Sequence, residues 1–360
     1  MSKNSVRPAK NLVVFAGAYP EKISQDLTQV VDQLGYKILP ASIGAFKSGE
    51  ANCELYKGQK DLFVQNKHEI TGSTVHIVAD IGTDINKFFV DTVNVVATVK
   101  EYGAKNVHVV LPFAPFARQD RRFANKMVSV MGKTFPKMLK AAGAKSVTAF
   151  DMHSKASESY YVKAFGERNV AFLSAAGLMA EEVLALTKGA GHLQVGAPDG
   201  YDKPDDIARA KAENFETIIN KNKGWTDYPN SFGIVKRHVS TNETEATLAA
   251  GRVKGKTAVI VDDMVDTGGT LKNAARILKA EQASKTITAV THPILSGDSL
   301  EVLTFETVDN EANPIDRLVL TDSIMSIYGK IEALPAEQKE RVRVTSIVPL
   351  IKQAIAPKVA

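Results

Sequence analysis

The chain has 360 residues; at about 150 residues per domain, that length suggests two domains or three. It is 44% hydrophobic, 24% charged and 7% aromatic, an ordinary globular composition that needs neither disulfide nor metal staple to build a core. Forty-five Lys and Arg against 40 Asp and Glu leave a net charge of +5, too thin for a nucleic-acid surface and better suited to small anionic ligands. Cys53 stands alone, which excludes an intramolecular disulfide and a cysteine-rich zinc site and fits a reducing compartment. The apolar run Leu12–Phe15 is too short for a signal peptide, and no stretch approaches the roughly 18 apolar residues of a membrane span. The expectation is a cytoplasmic protein with no membrane or nucleic-acid partner.

Residues 11–15 read as a buried strand. A helix starts at Pro20-Glu21, carries Ile23, Leu27, Val30, Val31 and Leu34 at helical spacing, and stops at Gly35. Further strands fit 75–79, 107–111, 147–150, 193–196, 231–235, 258–261 and 287–290, with helices at 88–102, 128–142, 204–221 and 271–280. Residues 221–230 are polar and turn-rich, and 335–340 read as a turn into a last strand and a terminal helix. Such alternation predicts an α/β fold of mainly parallel sheets flanked by helices. Lys145–Phe150 (KSVTAF) and Lys285–Val290 (KTITAV) each follow a Leu-Lys-Ala helix and each lead to a histidine, His153 and His292. Either the chain holds duplicated α/β domains, or αβ units simply look alike.

The strongest chemical signal is Val259–Leu271 (VIVDDMVDTGGTL). An apolar strand ends in Asp262 and Asp263, a turn holds Asp266, Thr267, Gly268, Gly269 and Thr270, and a helix begins. A helix amino terminus offers unpaired N–H groups and a favourable dipole to a phosphate. The glycines allow close backbone approach and positive φ, and the threonines add hydroxyl donors. Two carboxylates can accept from neighbouring sugar hydroxyls. A plain capped turn would explain Thr-Gly-Gly-Thr alone, but not the strand and the double aspartate before it. Gly251–Thr257 (GRVKGKT) is no Walker loop: it has three residues between its glycines, where that motif has about four, and it precedes its strand.

Asp262–Thr270 resembles the phosphoribosyl diphosphate loop of type I phosphoribosyltransferases and of ribose-phosphate diphosphokinases. Three further segments favour the second group. Phe113–Arg122 (FAPFARQDRR), after the strand at 107–111, resembles its ATP-binding stretch, with Arg118, Gln119 and Arg121 as candidate ATP contacts and Phe116 in the aromatic position. Asp151-Met152-His153 resembles its Asp-Leu-His, whose histidine helps hold the magnesium of Mg–ATP. Val235–His238 (VKRH) resembles the opening of its mobile catalytic loop, with Lys236 and His238 as catalytic candidates. Thr291–Gly297 and the Phe46–Glu50 turn match as well, so the resemblance covers nearly the whole chain.

The resemblance implies two tandem phosphoribosyltransferase-like domains, at 1–168 (joined by the terminal helix, 345–360) and 169–344. It implies a homo-oligomer, a hexamer or a dimer, in which Phe46, Ser48 and Glu50 complete a neighbour's ATP site. It also implies that Asp262, Asp263, Asp266, Thr267, Gly268, Gly269 and Thr270 bind ribose 5-phosphate, and that His153 and Asp199 orient Mg2+. The expected reaction gives phosphoribosyl diphosphate and AMP from Mg–ATP and ribose 5-phosphate.

Some positions depart from the family pattern. Lys47-Ser48 replaces Ser-Asp in the ATP turn, Pro198–Asp206 (PDGYDKPDD) lacks the Gly-Gly pair after Asp199, and His238 replaces an arginine. A histidine titrates near 6.5, whereas arginine stays charged. These changes leave open a non-catalytic regulatory paralogue that keeps the sugar-phosphate site. A phosphoribosyltransferase acting on a base is disfavoured by the length and by the Arg-Gln-Asp-Arg-Arg run.

Overall fold

The computed structural model describes residues 10–57, 68–80, 82, 84–122, 125, 127–189, 191, 193–199, 207–225, 231–240, 243–305, 307–308 and 311–357; of residues 236–240, 243–246, 307–308 and 311 only the backbone is described. The first half runs β1 (Asn11–Ala16), α1 (Glu21–Gln33), β2 (Lys37–Ile38), β3 (Ala41–Ala45), β4 (Ala51–Leu55), β5 (Thr74–Ala79), α2 (Ile85–Glu101) and β6 (Asn106–Leu111). It continues through α3 (Met131–Ala142), β7 (Ser146–Phe150), α4 (Lys155–Phe165) and β8 (Val170–Leu173). Next come α5 (Ala176–Leu186), β9 (Gln194–Ala197), α6 (Ile207–Lys223), β10 (Phe232–Ser240), β11 (Glu243–Ala250), β12 (Thr257–Val265), α7 (Gly269–Ala280) and β13 (Lys285–Pro293). The chain closes with α8 (Ser299–Thr304), β14 (Thr307–Val308), β15 (Glu311–Ala312), β16 (Arg317–Thr321), α9 (Ile327–Glu332), α10 (Ala336–Lys339), β17 (Val342–Thr345) and α11 (Val348–Ile355).

Two compact units result, one holding residues up to Leu173 together with those from Val348 on, the other Ser174–Ile347. These divisions fall slightly beyond 168/169 and 344/345 for a reason visible in the sheets. β8 pairs with β7 and so stays with the first unit, and β17 pairs with β16 and stays with the second.

The first unit's sheet has the order β2-β1-β5-β6-β7-β8 and is parallel throughout. The second's order is β11-β10-β9-β12-β13-β16-β17, parallel except for the β10–β11 edge hairpin. Both faces of the second sheet are covered, as parallel sheets require. Alternation along β12 divides its side chains. Ala258 and Ile260 join a core with Leu271, Ala274, Ala275 and Leu278 of α7, while Val259 and Val261 join one with α5 and α6.

The two sheets share a winding. The first strand of each (β1, β9) has the next parallel strand on its outer side (β2, β10), and the following ones (β5, β12) on the other. The repeat suggested by KSVTAF and KTITAV does not follow this correspondence. Ser146–Phe150 lies next to an edge strand, whereas Lys285–Pro293 lies two strands from its edge, so β7 matches β16 in position and β13 matches β6. A β-branched run after an amphipathic helix is a generic αβ pattern, and position in the sheet is set by crossover, not by that pattern.

Several element ends also moved. α2 starts at Ile85, where Asp84 caps it by accepting from the N–H groups of Asn86 and Lys87. α3 starts at Met131 and not at 128, and α6 extends to Lys223, three residues short of a segment, 226–230, that lies outside the described residues.

A part-buried polar contact joins strands of the first sheet. His76 and His108 are register partners on β5 and β6, with their Nδ1 atoms 3.2 Å apart, and His108 Nε2 meets Thr148 Oγ1 at 2.9 Å. Burial pushes the His76 pKa down from 6.5 to about 4. A neutral buried histidine stabilises the fold fully above its unfolded pKa, and that contribution is lost as pH falls from 6.5 towards 4. We expect the unfolding free energy to drop by up to about 2 kcal/mol from this group between pH 6.5 and 5. Thermal melts of the parent and of His76→Phe over that range check it; an equally steep decline in both would remove His76 as the cause.

Candidate active site

In the second unit, β12 runs to Val265, further than expected, because β13 continues alongside it through His292 and Pro293. Asp262 and Asp263 therefore lie inside the strand, not at its end, and Asp262 pairs in register with Val290. The turn that follows is held by Gly268, whose backbone is left-handed (φ 78°, ψ −5°) and which stands at the amino end of α7. A Cβ on Gly268 would meet Leu303 Cδ2 at 2.8 Å. Gly269 needs no such exemption: it is already helical, and the nearest atom to a Cβ there is Thr267 Oγ1 at 4.0 Å. Gly268 has no side chain with which to cap α7, so the donors and dipole at the amino end of this 12-residue helix are not taken up by its own N-cap residue. Thr267, Gly269 and Thr270 are exposed around it.

Beside the turn lies an acidic group. Asp262 Oδ1 accepts from the Asp263 N–H at 2.8 Å, and the two carboxyl groups lie against each other. Removal from water, the charge of Asp263 and then that of Asp199 push the Asp262 pKa well above the ordinary carboxylate range. Asp199, half-buried just beyond β9, is thus brought near Asp262; Asp202, Asp205 and Asp206 lie outside the described residues. A positive partner is Lys211 on α6, its Nζ 3.8 Å from the buried Asp263 carboxylate. Nothing in the sequence singles out Lys211, whose helical spacing does not distinguish it from the other lysines of α6. A second lysine, Lys330 of α9, donates to Ile294 O at 3.1 Å and lies within the field of Asp266. Burial lowers its pKa.

Lys236 and His238 do not open a loop. Their backbones lie in β10, paired with Ala246 and Thr244 of β11. The β-branched Thr244 and Thr247 suit a strand better than a loop. Their side chains lie outside the described part of the structure.

In the first unit, the Phe46–Glu50 turn is the tip of the β3–β4 hairpin. Phe46 N–H donates to Glu50 O at 2.9 Å, and Ser48 Oγ donates to Glu50 Oε2 at 2.9 Å, so Ser48 and Glu50 are held together. Phe46 is 58% exposed there. Arg118, Gln119 and Arg121 are exposed after β6, while Phe116 between them and the strand has positive φ (60°) and packs edge-on against Phe89 and Phe135. Phe116 is thus an anchor for the segment. His153 is half-buried, two residues after Asp151, whose φ is 37°. Arg118, Gln119, Arg121 and His153 follow adjacent parallel strands, β6 and β7, at the end of the sheet where open α/β folds place ligands.

Two outcomes follow for the turn. Gly268→Ala is expected to cost about 1–3 kcal/mol through the backbone strain and the Leu303 contact. Gly269→Ala should leave the melting temperature nearly unchanged, since a Cβ there meets nothing closer than Thr267 Oγ1 at 4.0 Å, and scanning calorimetry of the two variants side by side checks the contrast. Asp262→Asn should raise the melting temperature at pH 7.5. The folded-state pKa lies above the unfolded one, so ionising this carboxyl above the ordinary carboxylate range destabilises the fold, and the amide removes that penalty. A lower melting temperature for Asp262→Asn at that pH would contradict the burial argument.

Comparison with known proteins bears on all these segments. The family profile described as the N-terminal domain of ribose phosphate pyrophosphokinase matches residues 12–143, and that of the phosphoribosyl transferase domain matches residues 227–307. The chain is 26% identical over 350 residues to the ribose-phosphate pyrophosphokinase of Caldanaerobacter subterraneus subsp. tengcongensis, covering 97% of this chain and 95% of that protein. It is 29% identical over 313 residues to that of a Marinomonas species, covering 87% and 86%. Its fold matches the crystal structure of phosphoribosylpyrophosphate synthetase from Mycobacterium smegmatis with a TM-score of 0.72 at 22% identity, over 96% of this chain and 98% of that one. With both profiles in chain order, relatives aligned almost end to end and the same fold, the chain belongs to the ribose-phosphate pyrophosphokinase (diphosphokinase) family.

Proposed function

We propose that the chain transfers the β,γ-diphosphoryl group of Mg–ATP to the C1 hydroxyl of ribose 5-phosphate. The O1–Pβ bond forms, the bond from Pβ to the α,β-bridging oxygen breaks, the hydroxyl proton is released, and AMP leaves with the bridging oxygen. The observation that carries this reading is the uncapped amino end of α7, set beside the Asp262–Asp263 carboxyl pair, in a chain of this family. The N–H groups and hydroxyls at Thr267–Thr270 hold the 5-phosphate. Asp262 and Asp263 accept from the ribose hydroxyls, so donors from the sugar replace the lost hydration that raises the Asp262 pKa.

Arg118, Gln119 and Arg121 hold the nucleotide, joined by Phe46, Ser48 and Glu50 of a neighbouring subunit. The exposed hairpin tip supports that donation and hence a homo-oligomer, a hexamer or a dimer. Among the described residues no group of three or more His, Cys, Asp or Glu is arranged to hold a metal ion. By the family resemblance, a magnesium ion would be held mainly by phosphate oxygens and water, with His153 and Asp199 as the candidate minor protein ligands. When bound, Mg2+ neutralises charge on the transferring phosphates. Lys236 adds a positive charge to the transferring group, and His238 assists in the position of the family's arginine. Among the described residues no helix is long and apolar enough to cross a membrane, and the substrates suit a cytoplasmic reaction.

Purified protein given Mg–ATP and ribose 5-phosphate should release AMP in step with phosphoribosyl diphosphate. Absence of AMP between pH 6 and 9 with each common nucleoside triphosphate would overturn the reading in favour of a non-catalytic paralogue. Lys236→Ala should lose about a hundredfold or more in kcat, the usual size for one group acting on transition-state charge, with ribose 5-phosphate affinity retained.

A further inference from the structure

The segment proposed to hold the nucleotide, Arg118–Gln119, belongs to neither a strand nor a helix, and both side chains are exposed. Its rigidity must come from what grips its flanks. Part comes from its own neighbourhood, where Gln119 N–H donates to Phe116 O at 2.8 Å and Gly132 N–H to Gln119 O at 3.2 Å. The rest comes from one face of α4 and its cap.

Ser154 caps α4 by accepting from Ser157 N–H at 3.1 Å, and its Oγ donates to Asp120 Oδ2 at 2.5 Å. Ser157 Oγ donates to Ala117 O at 3.0 Å, and Tyr160 OH donates to Asp120 O at 2.6 Å. Residues 154, 157 and 160 recur every third position, so they share a face and can meet one segment together. Their acceptors, Ala117 and Asp120, bracket Arg118 and Gln119 on either side. Asp120 is 7% exposed, and Arg121 Nε, at 3.9 Å from its carboxylate, is beyond hydrogen-bond distance and itself exposed. A carboxylate so enclosed needs a donor, and Ser154 Oγ is one. Ser154 is also the covalent neighbour of His153. One helix end therefore touches both the arginine segment and the histidine proposed to approach the metal.

We propose that Ser154, acting through Asp120 and supported by Tyr160, is a positioning residue that fixes Arg118–Gln119 relative to His153, so that both approach the nucleotide as one unit. This rests on the reading of Arg118, Gln119 and His153 as nucleotide contacts. It goes beyond that reading in giving ATP affinity a dependence on a hydroxyl that touches no substrate. A plain helix cap would serve the fold alone, and the two roles separate chemically. Aspartate caps a helix about as well as serine but offers no proton to Asp120 and sets a second negative charge against it.

The experiment measures steady-state AMP release by the full-length chain as Ser154→Ala, Ser154→Thr, Ser154→Asp and Tyr160→Phe, with Arg118→Ala beside them and melting curves for each. Ser154→Ala and Ser154→Asp are expected to raise KM for Mg–ATP about tenfold or more, the value of one hydrogen bond to a charged group, with KM for ribose 5-phosphate within about twofold. Ser154→Thr keeps the hydroxyl and should restore the parent KM, and Tyr160→Phe should shift KM for ATP in the same direction. If Ser154→Asp behaves as the parent, Ser154 only caps α4 and the proposal falls. If Ser154→Asp does not fold, an unchanged KM for ATP in both Ser154→Ala and Tyr160→Phe overturns it equally. Arg118→Ala separates the levels: an unchanged KM for ATP there removes the nucleotide reading itself, whereas a raised KM there with a parental Ser154→Asp removes the positioning role alone.

Discussion

A helix whose N-cap residue has no side chain, directly behind a parallel strand, is the constraint on which the proposed chemistry depends. α7 keeps its terminal donors because the residue before it, Gly268, has no side chain with which to cap them and is turned into the left-handed region. Leu303 fills the space where a Cβ would stand, so the same residue that leaves the helix open is locked by packing. Helix donors without partners cost stability in the absence of a ligand, and the apolar contact between α7 and β12 beneath the turn offsets that cost. An anion at this point meets the dipole and the N–H groups without rearrangement of the turn.

The carboxyl pair beside the turn follows the same logic with opposite charge. Asp262 and Asp263 repel one another and Asp199 adds to the repulsion, while Lys211 neutralises only part of it. An arrangement of that kind is unfavourable in the folded protein by itself and becomes favourable when donors arrive. On the proposed reading, sugar hydroxyls or a cation among phosphates would supply them. Stability is thereby surrendered where binding needs it, and the surrounding β-branched strands hold the geometry.

In the first unit the segments proposed to hold the nucleotide use different means. Arg118 and Gln119 sit on a loop, fastened by the aromatic packing of Phe116 and by the hydroxyl face of α4. The Phe46–Glu50 tip stands on a two-stranded hairpin separate from the main sheet. Loops held by a rigid sheet can vary their contacts without disturbing the core, which is consistent with the changed residues at Lys47-Ser48 in a chain that still matches its relatives along almost all of its length.

Much of this was written locally in the sequence. The β-branched runs at 75–79, 107–111 and 258–261 became strands because a parallel sheet buries both faces and tolerates little else there. Val259–Leu271 reads as a glycine turn opening a helix because glycine, threonine and a helix start act over a few residues, and the resemblance of Arg118–Gln119 and Asp151–His153 to the family's segments is likewise local. What depends on distant residues was not legible. The extension of β12 past Asp263 needed β13 as partner, and β10 and β11 made a hairpin of a stretch that looked like a loop. Lys211, Leu303 and Ser154 acquire their roles from residues 52, 35 and 34 positions away in the chain, namely Asp263, Gly268 and Asp120. Spacing encodes neighbours along an element, whereas the partner across a turn or beneath a helix is chosen by how the elements pack, and that choice belongs to the tertiary structure.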